Sequence, residues 1–339
     1  MRILYPPTVN YNILYQRPNQ ILKVLSREGH RTYFMNHTPG VEGEFNTNGI
    51  EEIEDNFYVV SNKIQPTSLK PDIYYFSYPP YYDWIDKIKP EYIIFDAIDS
   101  PTGEFSSWKP LWEKSVKRAD LVMAVSEKLY EDAKEFNDNV IMVKNGVDYE
   151  HYQQKTRNPF RKLKLPGFHR KKPVIGFSGA IATWVDLDLM YRSCREYPDC
   201  SFVVLGMEYN ARLHRRPDNL FFLGHRHYDE LPMWLNHFDV CTIPFKDNPV
   251  TQACNPLKFW EYMATGNPVV TSNLPETNYD GVYWAKDDLE YIKFIGDALN
   301  EKKDNGTVMR EIRKQVAKNG SWKNNLKPLL EQLQRWENG

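Results

Sequence analysis

The sequence predicts an α/β protein made of two parallel-sheet domains, and three observations carry that expectation. Short apolar segments alternate with amphipathic segments along the whole chain. That alternation restarts at Val174, as though a second domain begins there. Between the halves, residues 155–172 hold eight basic side chains (Lys155, Arg157, Arg161, Lys162, Lys164, Arg170, Lys171 and Lys172) and no acid, and Pro159 and Pro166 interrupt any helix. A chain of 339 residues also exceeds what one ordinary core accommodates.

In the first half, strands are expected near 2–5, 31–35, 57–61, 72–76, 92–96, 121–125 and 140–143, and helices near 17–28, 105–118 and 126–136. Pro18 early in the first helix suits its opening turn. In the second half, strands are expected near 174–177, 201–205, 220–223, 240–243, 269–271 and 282–285, and helices near 185–197, 227–237, 256–264 and 287–298. A last helix begins near Ser321, with Trp322, Leu326, Leu329, Leu330, Leu333 and Trp336 as its apolar stripe and Pro328 as a kink. The expected domains are 1–150, a basic linker 151–172, and 173–320.

Composition narrows the function. A net charge of −2 argues against a general nucleic-acid binder. No apolar run is long enough to span a bilayer, and the opening Met1-Arg2-Ile3-Leu4-Tyr5 reads as a strand rather than a signal peptide. Cys194, Cys200, Cys241 and Cys254 show no metal-type pairing and read as free thiols of a reducing cytosol. The 22 Tyr, 17 Phe and 9 Trp suit a carbohydrate site as well as a core.

The most informative stretch is Asn255-Pro256-Leu257-Lys258-Phe259-Trp260-Glu261-Tyr262-Met263-Ala264-Thr265-Gly266-Asn267-Pro268. Asn255 reads as an N-cap, Pro256 as the first helical residue, and Gly266 with Pro268 as the stop. Lys258 and Glu261, three apart, share a face. A lysine in the first turn opposes the helix dipole unless an anion sits between it and the free N–H groups.

This segment resembles the nucleotide-sugar helix of GT-B glycosyltransferases, especially glycosyltransferase family 4, where Pro-Leu-Lys-x-x-Glu-Tyr-Met-Ala-x-Gly-x-Pro-Val-Val recurs. Further segments agree in order: Gln16-Arg17-Pro18-Asn19-Gln20, Arg118 to Ser126, Asn145-Gly146-Val147-Asp148, Ile175-Gly176-Phe177-Ser178-Gly179 and Phe222-Leu223-Gly224-His225. The resemblance implies two Rossmann-like, doubly wound domains facing a cleft, with the helix of about 321–339 crossing back to the first domain.

It also implies roles. Lys258 would hold a diphosphate and Glu261 a ribose, with Gly179, Ala180, Gly224, His225, Arg226, Thr251 and Asn255 completing the donor site. Arg17 would contact a phosphate or the acceptor, and Asp99 or Asp96 would act as base or orient the acceptor. The ring-rich segment Tyr74 to Trp84 suits a sugar or a lipid-linked acceptor. No metal is expected, because Asp186-Leu187-Asp188 matches Asp-x-Asp in letters only. Two departures stand out: Ala253 replaces a glutamate common in retaining members, and Asp186 follows Gly179 where basic residues are usual. Retaining and inverting chemistry therefore both stay open.

The implied function is transfer of a sugar from a nucleoside diphosphate sugar, a UDP-sugar before others, to a glycan or lipid-linked precursor of a cell-surface polysaccharide. It needs no cofactor. The rivals are a nucleotide-sugar 2-epimerase and an inactive GT-B scaffold. The expected place is the cytoplasm, peripheral to the inner membrane face if residues 155–172, with Phe160, Leu163, Leu165 and Phe168, touch anionic lipid.

Overall fold

A computed structural model describes all residues except Asn12, residues 38–48, Arg170 and residues 304–305; it also leaves the Lys303 side chain undescribed. Its contacts divide the chain into Met1–Asn145 with Trp322–Gly339, and Gly146–Ser321.

The first unit runs β1 (Arg2–Tyr5), α1 (Arg17–Arg27), β2 (Arg31–Met35), β3 (Ile50–Glu54), β4 (Phe57–Val60), β5 (Ile73–Phe76), α2 (Trp84–Ile88), β6 (Tyr92–Ala97), α3 (Lys109–Arg118), β7 (Leu121–Ala124), α4 (Glu127–Lys134) and β8 (Val140–Met142). Its sheet order is β3-β4-β2-β1-β5-β6-β7-β8. Every neighbouring pair is parallel except β3 with β4. The central strands are buried on both faces, which is why they read as continuous apolar runs. β3 was not expected from the sequence. It is a glutamate-rich edge strand, half-exposed or exposed along its length, so it lacks the apolar signal while its charges protect the edge.

The second unit runs α5 (Tyr149–Tyr152), β9 (Val174–Ser178), α6 (Leu187–Glu196), β10 (Ser201–Leu205), β11 (Leu220–Gly224), α7 (Leu231–Leu235), β12 (Val240–Ile243), α8 (Pro249–Gln252), α9 (Leu257–Thr265), β13 (Val269–Thr271), β14 (Val282–Trp284), α10 (Asp288–Lys303) and α11 (Thr307–Asn319). α12 (Trp322–Asn325) and α13 (Lys327–Asn338) then pack in the first unit. The second sheet is wholly parallel, in the order β11-β10-β9-β12-β13-β14. Counted from its own first strand, that is the 3-2-1-4-5-6 arrangement of a dinucleotide-binding sheet, whose strand order reverses between β9 and β12. Gly176 in mid-strand lets the Phe238 ring lie directly on β9, since a Cβ there would stand 2.1 Å from that ring.

The basic stretch is not a free linker. Phe160 and Phe168 are buried in the core of the second unit. Phe160 packs on Trp234 at 5.4 Å and Phe168 on Phe221 at 5.1 Å. Neither ring is therefore available to a lipid surface, which corrects that part of the expectation. Lys155, Arg157, Arg161, Lys162, Lys164, Leu165 and Lys171 remain exposed, while Arg170 lies outside the described residues.

Candidate functional site

The C-terminal ends of β9, β10 and β11 form the floor of the candidate site. The Gly179 N–H donates to Leu205 O at 2.8 Å, and the Gly206 N–H to Gly224 O at 2.9 Å. All three glycines have positive φ: 147° at Gly179, 147° at Gly206 and 76° at Gly224. A side chain at Gly206 would strike Gly179 O at 2.0 Å, and one at Gly179 would meet Lys258 Cε at 2.5 Å. The floor is thus built for close backbone approach, and Gly179 is the space through which Lys258 extends. Ala180 continues this floor, half-buried.

α9 supplies the charged groups. Gly266 ends it in the left-handed conformation, φ 74°, as its position suggested. Its start differs from expectation. Pro256 occupies the cap position, and Asn255 makes no cap. Instead the Asn255 amide donates to Glu276 Oε2 at 3.0 Å and its carbonyl oxygen accepts from Trp260 Nε1 at 2.8 Å. The side chain is 4% exposed, so its role is to fix the entry of the helix rather than to offer a contact.

The Lys258 ammonium lies over two rings, 4.7 Å from the centroid of Phe245 and 5.4 Å from that of Phe177. Phe177 is on β9 and Phe245 follows β12, so the cation stands where the strand order reverses. Burial pushes its pKa down, and the thiol of Cys254 and the carboxylate of Glu261 only partly offset that. Glu261, one turn later, is pushed up by burial and pulled back by the neighbouring Tyr152 phenol and by Lys258. The site therefore holds a half-buried cation and a half-buried carboxylate at the N-terminal half of a helix whose Phe259 N–H already donates to Pro256 O at 3.1 Å, and whose Leu257 and Lys258 N–H groups precede the first residue that could find an acceptor within the helix. An incoming dianion relieves the first and a diol can satisfy the second. Sequence reading missed Tyr152, and it missed Tyr262, whose hydroxyl accepts the Ser178 N–H at 2.6 Å and ties α9 to the end of β9. Both looked like ordinary core aromatics.

The other expected donor contacts divide. Gly224 lies at the end of β11, with open space where a side chain would be, so its glycine serves the backbone turn. His225 is exposed and its carbonyl accepts from Arg226 Nη1 at 2.7 Å. The Arg226 guanidinium lies 4.9 Å over the Trp234 ring. Thr251 is corrected: it is 1% exposed, and its hydroxyl accepts the Asn248 N–H at 3.1 Å and donates to Lys246 O, so it closes the capping turn of α8. Asp186 caps α6 through the Leu189 N–H at 2.8 Å, and Asp188 pairs with Arg192 at 3.0 Å.

In the first unit, Arg17 and Asp96 are corrected together. Arg17 Nε and Nη2 donate to the two Asp96 oxygens at 2.7 and 2.8 Å, and Tyr75 donates to the same carboxylate at 2.8 Å. Arg17 Nη1 reaches Asn145 at 3.1 Å. With Asp96 at 0% and Arg17 at 3% exposure, this is a buried, satisfied ion pair and neither a base nor a phosphate ligand. Asp99 differs. It is half-buried and its pKa is raised to about 6, first by burial, then by the charges of Asp96 and Glu104. Near it in sequence, exposed and half-exposed rings gather after β5 and β6: Tyr78 against Trp108 at 5.0 Å, Phe105 against Trp108 at 4.4 Å, and Tyr81 against Trp84, the first residue of α2, at 5.1 Å.

Comparison with known proteins bears on the fold that carries these residues. Residues 172–301 match the family profile of glycosyl transferases group 1. A Bacillus subtilis (strain 168) protein provisionally named as the teichuronic acid biosynthesis glycosyltransferase TuaH is 29% identical over 221 residues, 61% of this chain and 55% of that protein. The chain thus matches about half the length of this curated relative. Anabaena HepE, solved in complex with UDP and glucose, superposes with a TM-score of 0.74 at 14% identity over 98% of this chain and 99% of its own. WaaG, described as a glycosyltransferase of lipopolysaccharide biosynthesis, gives 0.65 at 11% identity over 94% and 95%. The chain therefore has the GT-B fold, and its residues 172–301 resemble the group 1 glycosyl transferases.

Proposed function

We propose that this protein transfers a sugar from a nucleoside diphosphate sugar, with the donor seated at the C-terminal edge of the second sheet. The observation that carries the proposal is the Lys258 ammonium, which stands beside Gly179 at the strand-order switch with its charge only partly compensated. The donor diphosphate lies between that cation and the first turn of α9. As the bond from the sugar's anomeric carbon to the diphosphate oxygen breaks, negative charge grows on the leaving phosphate, and the ammonium and helix N–H groups stabilise it in place. This assigns to a lysine and a helix the work a divalent metal does elsewhere. Glu261 holds the ribose. UDP is the first nucleotide to test, because HepE was solved with UDP.

The acceptor is read as a glycan or lipid-linked precursor of a cell-surface polysaccharide, in keeping with the name of the Bacillus relative. Asp99 and the rings around Trp108 are its proposed seat. The proton of the acceptor hydroxyl passes either to Asp99 or to the departing phosphate, and a pH profile separates the routes. The exposed cations of residues 155–171, with Leu165, are the proposed contact with anionic lipid. No described helix is long and apolar enough to cross a membrane.

The test is thermal shift of the wild type and Lys258→Ala with UDP, ADP and GDP, followed by nucleotide-sugar turnover. Stabilisation of the wild type by a nucleoside diphosphate, lost in the variant together with about 100-fold or more of turnover, is the expected result. Equal stabilisation of both proteins would overturn the donor site.

A further inference from the structure

The ring-rich segment after Asp72 divides between core and surface. Tyr74, Tyr75 and Phe76 lie in β5 and are buried, whereas Tyr78, Tyr81 and Trp84 beyond it are exposed or half-exposed. The turn Gly103–Trp108, which runs straight into α3, adds Phe105 and Trp108, both half-exposed. These side chains form one continuous strip. Phe105 stacks on Trp108 at 4.4 Å, Trp108 meets Tyr78 at 5.0 Å, Tyr78 meets Tyr81 at 5.8 Å, and Tyr81 meets Trp84 at 5.1 Å. A contiguous set of large apolar side chains left open to solvent marks a binding surface.

The strip is held from beneath. The Tyr81 hydroxyl donates to Pro7 O at 2.7 Å, and the Tyr81 carbonyl accepts from the buried Tyr74 hydroxyl at 3.0 Å. The Tyr81 N–H donates to Tyr78 O at 3.0 Å and the Phe105 N–H to Thr102 O at 2.9 Å, and the turn Pro79–Tyr81 packs on α3. One end of the strip lies near Asp99: Glu104, the residue before Phe105, is close enough for its charge to act on that carboxyl. The exposed charges beside the rings are Asp83 and Glu104 with Lys109, so the strip has no surplus of cations for an anionic headgroup. Flat apolar rings bordered by hydrogen-bonding groups match a pyranose instead, which has apolar C–H faces and a rim of hydroxyls.

We propose that this strip seats the saccharide chain of the acceptor: the terminal sugar lies at Asp99, and the units before it follow the rings from Phe105 toward Trp84. The inference rests on the reading of Asp99 and Trp108 as the acceptor seat, and it narrows that reading to one substrate class. Successive rings are spaced on the scale of a single pyranose, so the whole strip is longer than one sugar needs. It fits an acceptor of several units. The protein then extends an existing glycan rather than placing the first sugar on a lipid carrier, and the reaction that supplies its acceptor is itself a glycosyl transfer.

The experiment measures binding to an immobilised panel of bacterial polysaccharide fragments, each beside its component single sugars, for the wild type, Tyr78→Ala and Trp84→Ala. Melting with and without UDP is recorded for the same proteins. The wild type is expected to hold at least one oligosaccharide more tightly than the sugars that compose it. Trp84→Ala, altered at the end remote from Asp99, weakens that chain about tenfold and leaves the single sugar unchanged, with the melting shift given by UDP intact. Tyr78→Ala, altered at the most exposed ring, weakens the chain at an unchanged melting temperature, which separates lost contact from lost folding. If no oligosaccharide is held, or if Trp84→Ala weakens chain and single sugar alike, the inference is overturned and the donor site stands. Capture of phosphatidylglycerol vesicles that is lost in Tyr78→Ala would make the strip a lipid contact and overturn it as well. Failure of UDP, ADP and GDP to stabilise the wild type removes the donor-site reading, and the glycan panel decides the strip separately.

Discussion

Asp99 carries a pKa of about 6 because burial and two nearby carboxylates penalise its charge. The folded value lies above the unfolded one, so the associated stability is fully present below about pH 4 and is lost as pH rises through 6. Asp99→Asn is expected to stabilise the protein at pH 7.5, by at most about 3 kcal/mol, and to leave stability at pH 4 nearly unchanged. Denaturant melts at the two pH values check this. If Asp99 also takes the acceptor proton, turnover of the wild type rises through pH 6 and that limb disappears in the Asp99→Asn variant. A profile that keeps its limb assigns the proton to the donor phosphate. Lys258 obeys the same linkage with a different consequence. Its lowered pKa is raised again by a bound diphosphate, so nucleotide binding takes up a proton and weakens as pH climbs through the free protein's value, below 10.5. Calorimetry in buffers of different ionisation enthalpy reads that uptake. The sequence disclosed Lys258 and Glu261 because their spacing is local. It misled for Arg17 and Asp96 because their bidentate pairing joins residues 79 positions apart.

At the scale of elements, α9 is held at both ends by contacts that no local pattern announces. Trp260 reaches Asn255 at one end. At the other, Arg313 of α11, 0% exposed, donates to Gly266 O at 3.1 Å and Gly281 O at 2.7 Å and pairs with both oxygens of Glu301. Arg313→Met strands a half-buried carboxylate and two carbonyls, and is expected to cost about 3–5 kcal/mol in urea unfolding. The double variant with Glu301→Leu should recover part of that loss. α11 itself escaped the sequence reading. Its apolar stripe is thin: Met309, Ile312, Val316 and Ala317 fall at helical spacing, but the fully buried positions are Arg313 and Ala317, and Val308 and Met309 are exposed. By contrast, β9, β10 and β12 were legible because strands buried on both faces are apolar throughout.

At the scale of the whole molecule, the first unit is discontinuous. Trp322, Leu326, Leu329 and Leu333, each 3% exposed or less, belong to it, and Trp336 stacks on Tyr92 at 4.2 Å. The alternation of strands and helices made the two sheets readable in advance, and the stripe from Trp322 announced the closing helix. The charge-rich segment 155–172 was harder, because eight cations concealed two core rings. A chain cut after Ser321 should lose about 1.5–3 kcal/mol for each of the four buried side chains, enough to exceed a typical domain's margin. Calorimetry of that truncation is expected to show the transition of residues 146–321 alone, whereas a normal two-unit profile would refute the assignment. The same discontinuity sets an order of events on the ribosome. Met1–Asn145 emerge lacking a wall that is translated only 176 residues after Asn145 (321 − 145). At about 5–20 residues per second that wait lasts roughly 10–35 s. The later unit, contiguous in translation, is free to mature first, and the earlier one stays a client for chaperones until Trp322–Gly339 has been made.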